Sequence, residues 1–170
     1  MTDTQFRALF EQNKEAVYRF AWRMSGSAAV AEDIAQEVFL SLLRQPGRFD
    51  PARGPVRPFL LAVARNLALK RWRDEHRWDE LADEFATPAL DLERRETSDT
   101  VGAAVASLPP LQREVLILAE YEELSLEEIA RAVDAEVGTV KSRLHRAREN
   151  LRRMLAPLKQ GKRMSYGTTK

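Results

Sequence analysis

One stretch near the end of the chain, LSLEEIARAVDAEVGTVKSRLHRARENLRRML (Leu124 to Leu155), constrains the fold more than any other. Ser125 followed three residues later by Glu128 is a capping box, which fixes a helix start by satisfying two backbone N–H groups reciprocally. Ile129, Ala130 and Val133 give this short helix one apolar face. Val140, Leu144, Ala147 and Leu151 give the next helix another at helical spacing. The small side chain of Ala130 lets the two helices cross closely, so the stretch reads as a helix-turn-helix. Its second helix carries Lys141, Arg143, Arg146, Arg148, Arg152 and Arg153 against one acid, Glu149. Such a face suits a phosphate backbone, and Thr139, Ser142 and His145 are short enough to address base edges. The chemistry points to DNA.

The rest of the chain narrows the class. At 170 residues it holds one domain or two small ones, and 44% hydrophobic with 31% charged residues favours a globular protein. The absence of cysteine excludes a disulfide framework, a zinc ribbon and a thiol switch. No apolar run approaches the roughly 20 residues of a membrane span, and the polar N-terminus does not resemble a signal peptide. These features predict no membrane insertion and a cytoplasmic address.

Helical periodicity recurs along the chain, and strand alternation never lasts. Phe6, Leu9, Val17, Phe20 and Met24 mark a first helix ending near Gly26. Ile34, Val38 and Leu42, with Ala31, Ala35 and Phe39, mark a second from about Ala28 to Arg44. The segment Gln45 to Pro58, with four prolines and two glycines, is a shaped loop. A third helix runs from about Pro58 to Arg73, with Phe59, Val63, Leu67 and Trp72 available for packing. Asp74 to Asp99 then holds ten acids against three arginines, the composition of an acidic linker. Within it only Trp78, Leu81 and Phe85 could form an amphipathic turn. Val101, Val105 and Leu108 suggest a short helix ended by Pro109 and Pro110. Leu111, Val115, Leu118 and Ala119 suggest another before the helix-turn-helix, and a frayed tail follows from about Gln160. The expected fold is therefore all-α: two small helical domains, 1–73 and 100–158, joined by a flexible acidic linker (74–99) and followed by a tail (159–170).

A second basic patch, Arg65, Lys70, Arg71, Arg73 and Arg77, is interleaved with Trp72 and Trp78. Cations there could meet phosphates and aromatic rings could stack on unpaired bases. A solvated face around a core tryptophan explains the patch equally well. The neighbouring loop, with Phe49 and Phe59, is where an extruded base could be held. Enzyme chemistry finds no footing: the two histidines, His76 and His145, are far apart, and no phosphate-cradling glycine loop, metal-ligand spacing or nucleophile elbow occurs. No catalytic residue, metal or cofactor is expected.

Three blocks in order, AEDIAQEVFLSLLR, PFLLAVARNLALKRWR and SLEEIARAVDAEVGTVKSRLHRAR, resemble the extracytoplasmic-function (ECF) group of RNA polymerase sigma factors over roughly Phe6 to Leu155. The resemblance implies a region 2-like helical bundle and a region 4-like helix-turn-helix domain. It implies core RNA polymerase and promoter DNA as partners, with an anti-sigma factor, a separate chain, as a candidate third. Asp33, Gln36 and Glu37 would grip the clamp helices of core polymerase. Arg65, Asn66, Lys70 and Arg73 would melt and read the downstream promoter element. Thr139, Lys141, Ser142, Arg143, His145 and Arg146 would read the upstream element.

Four positions depart from the family pattern. Asp134 stands where the turn usually has glycine, a small penalty because aspartate tolerates positive φ. Glu136 stands where a serine often caps the recognition helix, so a weaker cap is expected. Phe59 replaces a common tryptophan and Lys70 a common aspartate, which bears on downstream-element preference. Two other readings remain open on the residues alone. One is a stand-alone helix-turn-helix regulator with a palindromic site; the other is a sigma-like decoy or adaptor that contacts no promoter.

Overall fold

The structure, a computed structural model, describes residues 1–75 and 100–165, with side chains described to residue 157. Most of the acidic segment, with Arg77, Trp78, Leu81 and Phe85, lies outside the described residues. Among those described there are only helices and turns.

Helix α1 (Asp3–Ser25) starts on a capping box between Thr2 and Gln5 and stops at Gly26, whose φ of 69° is the left-handed conformation that glycine adopts without penalty. Ser27 caps α2 (Ala28–Arg44) by accepting from the Val30 N–H. The proline-rich loop folds into two 3₁₀ turns, Pro46–Arg48 and Pro51–Arg53, and Asp50 caps the second by accepting from the Ala52 N–H. Helix α3 (Val56–Glu75) begins two residues before the sequence places it. Pro58 then falls in the first turn, where its missing N–H has no intrahelical partner to lose. Asp74 and Glu75 belong to this helix too.

The packing face of α3 also differs from expectation. Leu60, Leu61, Ala64, Ala68 and Leu69 are buried, whereas Phe59, Val63, Leu67 and Trp72 are half-buried against the same core. The helix is covered on more than one side, by α1 and α2 and by the second domain, so a single 3.6-residue stripe does not describe it.

The second domain comprises α4 (Thr100–Ser107), α5 (Pro110–Leu116), α6 (Leu126–Ala132) and α7 (Val137–Ser165). Val101 is exposed; the core of α4 is Ala103, Ala104 and Val105, closed by Leu108. A π turn, Ile117–Tyr121, extends α5. The last helix continues through Pro157 to Ser165, past the expected start of the tail. Proline there removes one hydrogen bond, and the Lys, Gln, Arg and Met residues around it favour helix. Helix α4 packs on α1 and α6 on α3, so one apolar core runs unbroken through both domains.

Candidate nucleic-acid interface

The helix-turn-helix forms as its local chemistry dictates. Ser125 Oγ accepts from the Glu128 N–H at 3.1 Å, and Glu128 Oε1 accepts from the Ser125 N–H at 3.0 Å. Asp134 sits at φ 52°, the left-handed turn position expected of it. The Glu136 carbonyl accepts from the Val140 N–H at 3.0 Å, opening α7. Ile129, Ala130 and Val133 of the first helix and Val140, Leu144 and Ala147 of the second are buried. Lys141, Ser142 and His145 are thereby left exposed, while Thr139, Arg143 and Arg146 are half-buried. Further along, Arg148 pairs with Glu120 and Arg152 with Glu149, both on the surface, where ion pairs add little stability. Helix α7 is anchored from beneath by a buried amide pair, Asn150 Nδ2 donating to Gln112 Oε1 of α5 at 2.7 Å.

In the first domain Asp33 and Gln36 are exposed on α2 and Glu37 is half-buried beside them. Arg71 donates to Asp33 at 3.4 Å and Arg44 to Glu37 at 3.0 Å. Gln36 also borders an apolar groove of about 550 Å³ between α1 and α2, walled by Phe10, Tyr18 and Phe39. The Phe10 and Phe39 rings meet edge-on at 4.9 Å, which holds that wall rigid.

The four candidate residues on α3 divide. Asn66 and Lys70 are exposed and one turn apart; Arg73 is half-buried. Arg65 is turned the other way: its side chain is 13% exposed, and Nε and Nη2 donate to Glu114 Oε2 and Oε1 at 2.6 and 3.0 Å. Nearby, Phe49 and Phe59 (centroids 5.5 Å apart) line a cavity of about 540 Å³ with Arg48 and Asp50. Its far wall is Glu128, Arg131 and Ala132 of α6, and Arg131 donates to the Arg53 carbonyl at 3.4 Å.

Several residues that sequence reasoning passed over hold this arrangement. Glu122 is fully buried and receives Arg57 Nη2 on both its carboxylate (2.6 Å) and its carbonyl (2.9 Å). Arg19 and Arg23 lie 4.0 Å from the same carboxylate, and Arg23 stacks on the Tyr121 ring at 4.0 Å. Arg113 donates to the carbonyls of Met24 (2.6 Å) and Leu108 (2.8 Å), tying the C-terminal end of α1 to the second domain. Burial lowers its pKa to about 10, which leaves it charged at neutral pH. Burial also pushes the Glu114 carboxyl up, and Arg65 opposes that rise. Glu114 had a sequence signal, since it lies on the stripe of Leu111, Val115 and Leu118 where an acid is out of place. Glu122 had none.

Among the described residues no helix is long and apolar enough to cross a membrane, and no three His, Cys, Asp or Glu side chains cluster as a metal site. The model of Sigma-70 region 2 matches residues 9–78 and that of Sigma-70, region 4 matches residues 98–151. The ECF RNA polymerase sigma factor SigE of Mycolicibacterium smegmatis is 35% identical over 157 residues, spanning 87% of this chain. The match covers 60% of SigE, so the chain spans about three-fifths of that relative's length. SigW of Bacillus subtilis, another ECF RNA polymerase sigma factor, is 31% identical over 169 residues, 90% of each protein. The fold is shared with the sigma factor RpoE of Bartonella quintana, solved in complex with the anti-sigma factor NepR: TM-score 0.72 at 23% identity, over 89% of this chain and 97% of that one. With both sigma-70 regions in order, and a relative matched along nearly its whole length, the chain belongs to the ECF RNA polymerase sigma factors, which bring RNA polymerase to specific promoters to initiate transcription.

Proposed function

We propose that this protein is a dissociable initiation factor that acts by binding alone, with no catalytic centre of its own, in the cytoplasm. Residues 1–73 bind core RNA polymerase and open the downstream promoter element, residues 100–158 read the upstream element, 74–99 link them and 159–170 form a tail. On α2, Asp33, Gln36 and Glu37 meet the polymerase, beside the apolar groove walled by Phe10, Tyr18 and Phe39. On α3, Asn66, Lys70 and Arg73 meet the opened strand, while Arg65, paired with Glu114, does not reach it in this arrangement; the Phe49–Phe59 cavity receives a base extruded from the stack. On α7, Thr139, Lys141, Ser142, Arg143, His145 and Arg146 face the upstream major groove. An anti-sigma factor is a further candidate partner, as NepR is for the Bartonella quintana protein.

The observation that carries this reading is the exposed Lys141, Ser142 and His145 face of a recognition helix whose opposite side is fully packed. Two tethered readers on one polymerase gain by effective concentration, so each needs only modest affinity. Run-off transcription with purified core polymerase on pooled promoter fragments tests it. Transcripts that require this protein are expected, and their upstream sequences will align at two separated elements. Lys141→Ala should weaken upstream-element binding and lower the salt slope by about one. Tight palindromic DNA binding without polymerase would instead restore the stand-alone regulator, and polymerase binding with no transcript would support a decoy.

A further inference from the structure

Glycine inside a helix calls for a cause, because it loses more conformational freedom on folding than any other residue and weakens a helix relative to alanine. Gly26 and Gly54 have one: at φ 69° and 136° a Cβ would be strained. Gly138, in the first turn of α7, has no such cause within the fold. Its φ is not positive, and a Cβ placed there would meet no neighbour within 4 Å among the described residues. Alanine would fit and would strengthen the helix, so the cause lies outside the chain. Gly138 is exposed and shares one stripe of α7 with Lys141, Ser142 and His145, which are exposed too. Ser142 Oγ donates to the Gly138 carbonyl at 3.1 Å, so this side chain folds back along the helix and leaves the backbone beside it uncovered.

We propose that Gly138 is the point of closest approach between α7 and the upstream promoter element: a base-pair edge in the major groove lies in the space that a Cβ would fill. The proposal rests on the initiation reading above for the identity of the duplex. A base edge, rather than a phosphate, is the partner because the turn just before Gly138 carries two exposed acids, Asp134 and Glu136. Their carboxylates would repel a phosphate brought to this spot, whereas a carboxylate can accept from the amino group of cytosine. Gly138 thus determines specificity without a side chain. Its bare backbone lets the helix seat deeply enough for Lys141, Ser142 and His145 to reach the bases, and an added methyl group lifts all three together.

The test sets stability against function in the full chain, with Gly138→Ala and the larger Gly138→Leu, both good helix formers. The alanine variant should melt about 1–3 °C higher than the parent. A lower melting temperature would give the glycine a structural role and overturn the proposal. Function is read by run-off transcription with core polymerase on a promoter library whose upstream element is randomised. On the elements that the parent prefers, transcription should fall at least tenfold with alanine and further with leucine, while binding of core polymerase stays the same. The elements that the alanine variant still uses should differ from the parent's at one or two adjacent base pairs and match it elsewhere. Full activity of Gly138→Ala on the parent's elements would overturn the close approach. An equal loss on every element, with base preference unchanged, would mean a phosphate partner and overturn the base-edge assignment. A parent chain that yields no transcript sinks the initiation reading instead. Selection of duplexes from the same library by the full chain alone then judges Gly138, and equal enrichment by parent and alanine variant, or none by either, would overturn it.

Discussion

The buried amide pair beneath the recognition helix lends itself to a quantitative test. Asn150→Leu removes the donor that reaches Gln112 Oε1 at 2.7 Å, in a site where Gln112 is fully buried. A buried acceptor that loses its donor costs about 1–3 kcal/mol, and with no exposure through which water could substitute, about 2 kcal/mol is expected. Gln112→Met removes the acceptor instead. Asn150 retains 9% exposure, so its amide can partly hydrate and the loss should be near the low end, about 1 kcal/mol. Replacing both leaves two apolar side chains of similar volume facing one another, with neither member of this amide contact left unpaired by the other. The double variant should therefore lie within about 1 kcal/mol of the parent, although the two single losses sum to about 3 kcal/mol. The coupling energy is then about 2 kcal/mol or more, large for a contacting pair. Urea unfolding followed by circular dichroism on all four chains provides the cycle. Additive single and double losses would refute the reasoning, because they would mean that the amides do not depend on one another.

Other outcomes follow from local chemistry. Ser125→Ala should destabilise the fold by about 1 kcal/mol, a melting shift of roughly 2–4 °C for a chain with one continuous core, because α6 is only seven residues long and relies on its capping box. Asp134→Gly should raise the melting temperature slightly, by about 0.5 kcal/mol of stability, since φ 52° suits glycine better than any residue with a Cβ. The pH response of the fold follows from Glu114. Burial holds its carboxyl above the ordinary 4.5 despite Arg65, Arg143 and Arg73 facing it, so folding takes up a proton there. That contribution is complete below 4.5 and is lost as pH rises through the raised value. Measured by urea unfolding against Glu114→Gln, which stays neutral, the parent should gain relative stability as pH falls; a relative loss would contradict the assignment.

How much of this was legible in the sequence depended on how local the cause was. The Ser125–Glu128 box, the left-handed Asp134 and the stop at Gly26 are decided by residues within four positions of one another, and each is found where pattern reading puts it. The core face of α3 was read only in part: Phe59, Val63, Leu67 and Trp72 do pack on the core, but the helix is buried against two domains, and tertiary coverage blurs a one-sided stripe. The continuation of α7 beyond Pro157 was missed because proline is a strong breaker signal that good helix formers on both sides outweigh. Of the candidate site, the exposed positions Asn66, Lys70, Lys141, Ser142 and His145 are presented to solvent as their spacing suggests. Arg65 is the exception. It read as a cation available to DNA because its partner, Glu114, lies 49 residues away, and Arg57 and Glu122 are separated by 65. Ion pairs at that separation leave no periodic trace, and only the fold brings them together.

The π turn between Ile117 and Tyr121 carries a consequence of its own. Its Ile117 carbonyl accepts from the Glu122 N–H at 3.0 Å, five residues on rather than four, and so the turn holds one residue more than an α-helix would. Each residue of an α-helix advances the side-chain direction by about 100°. A chain shorter by one residue here would close the turn as ordinary helix and swing the Glu122 carboxylate away from Arg57, Arg19 and Arg23. The seating of the second domain on the first is thus a matter of length as well as of composition. A single-codon deletion in this turn would unpair Glu122 from the first domain while leaving every side chain of α3 and α7 unchanged.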